Sequence, residues 1–171
     1  MKRRVRRVVL AAMEQKDSRY SRPKFVTFAL PTEPVATWEE RESLRDLLKS
    51  RLPRARKVLE GHGMLGGVYV IEMTSRRVLE PPADGRSFGT WMWKHHPHVH
   101  MACVFPVLGK KAFRRASDSL IPMGLGRLNI RAFDDDDDAD ALKKLEWYIA
   151  KYLNKDGERL RSFGILRVKR G

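Results

Sequence analysis

Residues 93–105 read Trp-Lys-His-His-Pro-His-Val-His-Met-Ala-Cys-Val-Phe, an apolar segment with histidines set into it at alternate positions. Valine and aromatic content favours an extended strand, where successive side chains point to opposite faces. His98 and His100 then share one face, and Val99, Met101, Cys103 and Phe105 take the other. Two imidazoles on an otherwise apolar strand are costly to bury unless each finds a partner. A divalent metal satisfies both together; hydrogen bonds to backbone or to a carboxylate are the alternative.

A second constellation follows, Tyr148-Ile-Ala-Lys151-Tyr152-Leu-Asn-Lys155, inside a helical pattern expected over 140–154. Its apolar stripe is Leu142, Leu145, Ile149 and Leu153. A four-residue spacing sets the two hydroxyls roughly 6 Å apart on one helix face. Each tyrosine is followed three positions later by a lysine, on the flank of the stripe, where a helix packed on a sheet presents hydroxyls to a cleft margin. Boundary aromatics without a chemical role occupy the same kind of position.

A His-hydrophobic-His strand followed by a Tyr-x-x-x-Tyr helix with lysines resembles the HUH endonucleases, in particular the two-tyrosine rolling-circle replication initiators of phages and plasmids. Residues 25–31, Phe-Val-Thr-Phe-Ala-Leu-Pro, resemble that family's first strand motif, so the likeness covers most of the chain. The resemblance implies a divalent ion, manganese or magnesium, held by His98, His100 and an acidic or polar residue from a neighbouring strand. Glu72 is the candidate, a carboxylate on the face that Val68 and Val70 share; an ion pair with Arg76 or Arg77 is its plainer role. Tyr148 and Tyr152 are implied as nucleophiles, with Lys151 and Lys155 assisting. Attack on single-stranded DNA at a replication origin would leave a 5′-phosphotyrosine link and a 3′-OH that primes synthesis. No Gly-x-x-x-x-Gly-Lys-Ser/Thr sequence is present, so unwinding would fall to a separate or host helicase. A transposase or relaxase using the same chemistry for DNA mobility is the alternative; relaxases usually carry their tyrosine near the N-terminus, where Tyr20 is the one candidate. A non-catalytic basic protein with a structural zinc would need a fourth ligand, and the single Cys103 has no metal-binding spacing.

The formal net charge of +14 points to a polyanionic partner, and nucleic acid fits it better than membrane. Trp91 and Trp93 are candidates for stacking on unpaired bases, and Lys110, Lys111, Arg114 and Arg115 for phosphate contacts. The aspartates from Asp134 to Asp138, with Asp140 beyond, repel phosphate and suit the positive end of the tyrosine helix. They lack the alternation of a calcium loop. One cysteine excludes an internal disulfide and, with no apolar run of membrane-spanning length, points to a cytoplasmic protein.

Residues 1–23 read as a basic arm with a short apolar patch, and 24–171 as one endonuclease domain. A strand is expected at 24–30, apolar on both faces except Thr27. A helix begins at Thr37 with the capping box Thr37-x-x-Glu40 and closes at Pro53. Glycines 61, 63, 66 and 67 form a turn into a strand at 67–74, and 75–95 reads as a long connection. After the histidine strand come a basic helix at 109–120, a strand at 127–133, the tyrosine helix and a last strand at 163–168. This order predicts an α+β fold, a central mainly antiparallel sheet with flanking helices.

Overall fold

The computed structural model describes residues 7, 9, 11, 21–31, 35–82, 88–132, 138–153 and 161–164. Strands β1 (Ser21–Ala29), β2 (Gly66–Glu80), β3 (Thr90–Pro106), β4 (Asn129–Ala132) and β5 (Arg161–Gly164) form one sheet in the order β4-β1-β3-β2-β5. Every pairing in it is antiparallel. Among the described residues three helices flank it: α1 (Trp38–Gly61), α2 (Lys110–Asp118) and α3 (Asp138–Leu153). The architecture is therefore the α+β arrangement that the element order predicts.

Two apolar layers sandwich β3. On one face Val99, Met101, Cys103 and Phe105 meet Leu48, Leu52, Ala55 and Leu59 of α1 and Ala116 of α2. On the other, Ala102 and Val104 join Phe25, Val68 and Val70 under Leu142, Leu145 and Ile149 of α3. Burying such side chains is worth about 1.5–3 kcal/mol each. Leu142, Leu145 and Ile149 of the stripe read from the sequence are thus the face by which α3 docks, and the Leu153 side chain lies outside the described residues. Val9 is also fully buried in this second layer with Ala11 packed against it, so these two residues of the basic arm contribute to the core.

Helix α1 opens as its capping box dictates: the Thr37 hydroxyl accepts from the Glu40 N–H, and the Glu40 carboxylate accepts from the Thr37 N–H. Pro53 does not close the helix, which runs on to Gly61. A proline costs about 3 kcal/mol inside a helix by withholding an N–H from the preceding turn. Here Pro53 is exposed while Leu52, Ala55 and Leu59 around and beyond it are buried against the sheet, and that burial outweighs the lost bond. The true end is a Schellman motif: Gly63, at φ 97°, donates to the Glu60 carbonyl, and Met64 donates to that of Leu59. Gly67 is required for a different reason, because a Cβ there would lie 2.1 Å from the Ala102 carbonyl oxygen.

The expected connection at 75–95 is instead mostly strand. β2 extends to Glu80 and β3 begins at Thr90, paired residue by residue as a two-stranded ribbon that continues past the end of β1. Beyond Met73 its residues are largely exposed, so no hydrophobic alternation marked them as strand. The ladder itself holds them. Of the expected last strand, 163–164 belong to β5, and 165–168 lie outside the described residues. Among the described residues no helix is long and apolar enough to cross a membrane.

Candidate active site

Register decides what surrounds the histidines. Across β3, His100 faces Thr27 of β1 and Val70 of β2, His98 faces Glu72, and His96 faces Thr74. Paired residues share a face, so His96, His98, His100, Glu72, Thr27 and Thr74 all stand on the α3 side of the sheet.

Each imidazole is held at Nδ1 by a threonine from a neighbouring strand. His100 Nδ1 lies 3.1 Å from the Thr27 hydroxyl, and His98 Nδ1 lies 2.9 Å from the Thr74 hydroxyl. His100 Nε2 then meets the Glu72 carboxylate at 2.8 Å, with both side chains buried. Glu72 is therefore bonded to a histidine. With Nε2–H donating to Glu72, a neutral His100 accepts from Thr27 at Nδ1; with Nε2 on a metal, Nδ1–H donates to the same oxygen. The hydroxyl serves either tautomer. Burial, followed by the nearby His96 and His100, lowers the His98 pKa below its ordinary value, which keeps that ring in the neutral form a metal requires.

The ligand geometry is only partly formed. The rings of His98 and His100 stand nearly parallel, with their centres 6.2 Å apart at 18°. Among the described residues no three His, Cys, Asp or Glu side chains gather as a metal-ligand group. The donors nonetheless suit one. The 2.8 Å between His100 Nε2 and Glu72 is close to the roughly 3 Å that separates adjacent donors on an octahedral ion with bonds of about 2.1 Å. A turn of the His98 ring would add the second imidazole. Thr27→Val and Thr74→Val are each expected to lower manganese affinity by roughly 10- to 100-fold, since they remove the group that orients a ligand while keeping its shape. Calorimetric titration with manganese checks this; unchanged affinity in both variants would detach the threonines from metal binding.

α3 brings Tyr148 to the same layer. With Leu145 and Ile149 turned into the core, Tyr148 is half-buried at the helix flank. Its ring lies 5.4 Å from that of Phe25, and Phe25 in turn stacks on His100 at 5.4 Å and 15°. Arg131 of β4, paired with Phe25, donates from Nη1 to the Tyr148 hydroxyl and places its guanidinium 4.8 Å from the ring centre. A continuous series, Arg131, Tyr148, Phe25, His100 and Glu72, thus runs across five elements. The chain matches no family model, and no curated protein matches it significantly.

Other candidates fall elsewhere. The Lys151 ammonium sits 6.0 Å from the Trp147 ring centre. Tyr152 belongs to α3 by its backbone, its side chain and Lys155 lie outside the described residues, and so does Tyr20. Trp91 and Trp93 are exposed on the ribbon, in register with Leu79 and Arg77, on the face opposite the histidines. They do not cover an end of the core. Lys110, Lys111, Arg114 and Arg115 are exposed on α2, which also packs on that opposite layer. The structure therefore separates these six from the histidine and tyrosine cluster. Thr27, Thr74, Phe25, Arg131 and His96 join the site without having been given a role; the signals were Thr27 as the polar exception of its strand and the alternation at 127–133, which turns Arg131 away from Leu128 and Ile130.

Proposed function

We propose that this chain is an HUH endonuclease that nicks and rejoins single-stranded DNA through a covalent phosphotyrosine intermediate, and that it initiates rolling-circle replication of a phage or plasmid. The observation that carries the reading is the Tyr148 hydroxyl, held by Arg131 on the sheet face that also bears His98, His100 and Glu72. A phenol is a weak nucleophile, with an ordinary pKa near 10. A guanidinium donating to its oxygen is placed to stabilise the charge that develops there.

In the proposed reaction the Tyr148 oxygen bonds to phosphorus and gives up its proton, and the bond from phosphorus to the 3′ oxygen breaks. The departing 3′ oxygen takes up a proton. The reverse attack by a 3′-OH rejoins the strand and frees the tyrosine. Tyr152, one turn along α3, would serve as the second nucleophile, so that one tyrosine cleaves while the other is esterified. Held by His98, His100 and Glu72, a manganese or magnesium ion would draw charge from the scissile phosphate. Phe25 fixes the spacing between the tyrosine ring and His100 by stacking on His100 and packing at a tilt against Tyr148. The partners in this reading are single-stranded DNA at a replication origin and a separate helicase, in the cytoplasm.

The test is a selection. A 3′-labelled library of random single-stranded oligonucleotides is incubated with the protein and manganese, and species that survive denaturing electrophoresis are recovered. A covalent protein–DNA band that enriches a sequence is expected; no covalent species with manganese or magnesium would overturn the reading.

A further inference from the structure

Past the end of β1, the ribbon of β2 and β3 carries the histidine face outward. There Arg76 stands directly opposite Lys94, and Thr74 opposite His96. With His98 these residues line a cavity of about 240 Å³. That is below the roughly 300 Å³ at which pockets for drug-sized ligands begin, and it suits a small group.

Two cations directly across a ladder destabilise the pair unless an anion offsets them. Glu80 forms an ion pair with Lys94, whereas Arg76 has no carboxylate partner among the described residues. The cavity thus keeps a net positive wall in a chain that already carries +14. The polar lining is equally suited to an anion. Arg76 offers a planar fork of donors, and Lys94 offers an ammonium that can turn from Glu80 to a ligand. Thr74 bonds His98 Nδ1, so one wall of the cavity is the group that orients a candidate metal ligand.

We infer that this cavity seats a phosphodiester of the bound DNA strand next to the scissile one, with Arg76 and Lys94 as positioning residues. The inference takes the identity of its ligand from the DNA-cleaving reading. Charge-assisted bonds at Arg76 and Lys94 hold the neighbouring phosphate and set the strand's register over His98 and His100. The strand therefore leaves the site along the ribbon's histidine face, away from Trp91 and Trp93.

Binding of fluorescein-labelled single-stranded (dT)20, followed by anisotropy over a salt series, tests this without requiring cleavage. Arg76→Ala/Lys94→Ala is expected to weaken binding roughly tenfold or more and to flatten the log affinity against log salt by about 0.7 for the one phosphate released. The control is Arg54→Ala/Lys57→Ala, which removes the same charge from exposed positions on α1, on the other layer; its loss should stay under about threefold. Arg76→Lys/Lys94→Arg keeps both charges and should bind nearly as wild type, which separates lost charge from a damaged ribbon. Equal losses in the site and control pairs, full affinity in the site pair, or no binding by wild type would overturn the phosphate seat. A protein that shows the expected binding pattern but never forms a covalent adduct would instead remove the nicking reading and leave the seat in place.

Discussion

The Tyr148→Phe/Tyr152→Phe double variant is expected to form no covalent adduct with single-stranded DNA, and each single variant to keep part of it. Tyr148→Phe should lose the larger share, because its hydroxyl is the one that Arg131 addresses. The substitution is gentle on the fold. The phenyl ring keeps its place against Phe25 and beside Trp147, and the lost hydrogen bond is worth about 1 kcal/mol at a partly exposed position. Reduced adduct therefore reports the nucleophile. Tyr152→Phe removes the hydroxyl one turn further along α3, and the residual adduct should then map by mass spectrometry to the peptide that carries Tyr148. If one single substitution abolished all adduct, the other tyrosine would be a packing residue, and a single-nucleophile reaction would replace the alternating one.

Much of this site was legible in the sequence because it depends on period alone. Alternation along β3 places His98 and His100 together, and alternation along β2 places Glu72 with Val68 and Val70, whatever the strands pair with. Likewise the α3 stripe fixes which flank Tyr148 occupies, and Thr37 with Glu40 announces a helix start through a local bond. What could not be read depends on register between distant strands. Thr27 lies 73 positions from the histidine it holds, and nothing local to either residue says that they meet. Arg131 illustrates the same limit: alternation turned it away from Leu128 and Ile130, but only the placement of β4 beside β1 shows that this direction is toward α3.

The two largest errors of extent, at Pro53 and at 75–95, have opposite causes. At Pro53 a strong local signal was overruled by burial of Leu52, Ala55 and Leu59. In the ribbon no local signal existed, since strands exposed on both faces need no alternation and gain their order from the ladder. The same placement explains why the basic helix and the tryptophans fall on the layer away from the histidines. Composition identifies residues suited to DNA, whereas topology decides which of them share a surface.

Replacing either histidine is expected to abolish nicking, but the two should differ in what else they cost. His98 is part-exposed and bonded to the hydroxyl of Thr74, so His98→Ala should leave the fold close to wild-type stability while removing a candidate ligand. His100 is buried against Glu72, and His100→Ala takes a hydrogen-bond partner from a buried carboxylate. Losing a hydrogen bond to a buried charged group costs about 1.5–3 kcal/mol. Adding Glu72→Gln to His100→Ala removes the buried charge, so the double variant should recover part of that stability and none of the activity. Urea denaturation gives the stabilities, and the adduct assay with manganese gives the activities. Recovery of stability without nicking would separate the pair's contribution to folding from its part in chemistry. If His98→Ala/His100→Ala still nicked DNA with manganese present, the histidine face would be a structural feature, and the reaction would have to be sought at Tyr148 and Arg131 alone.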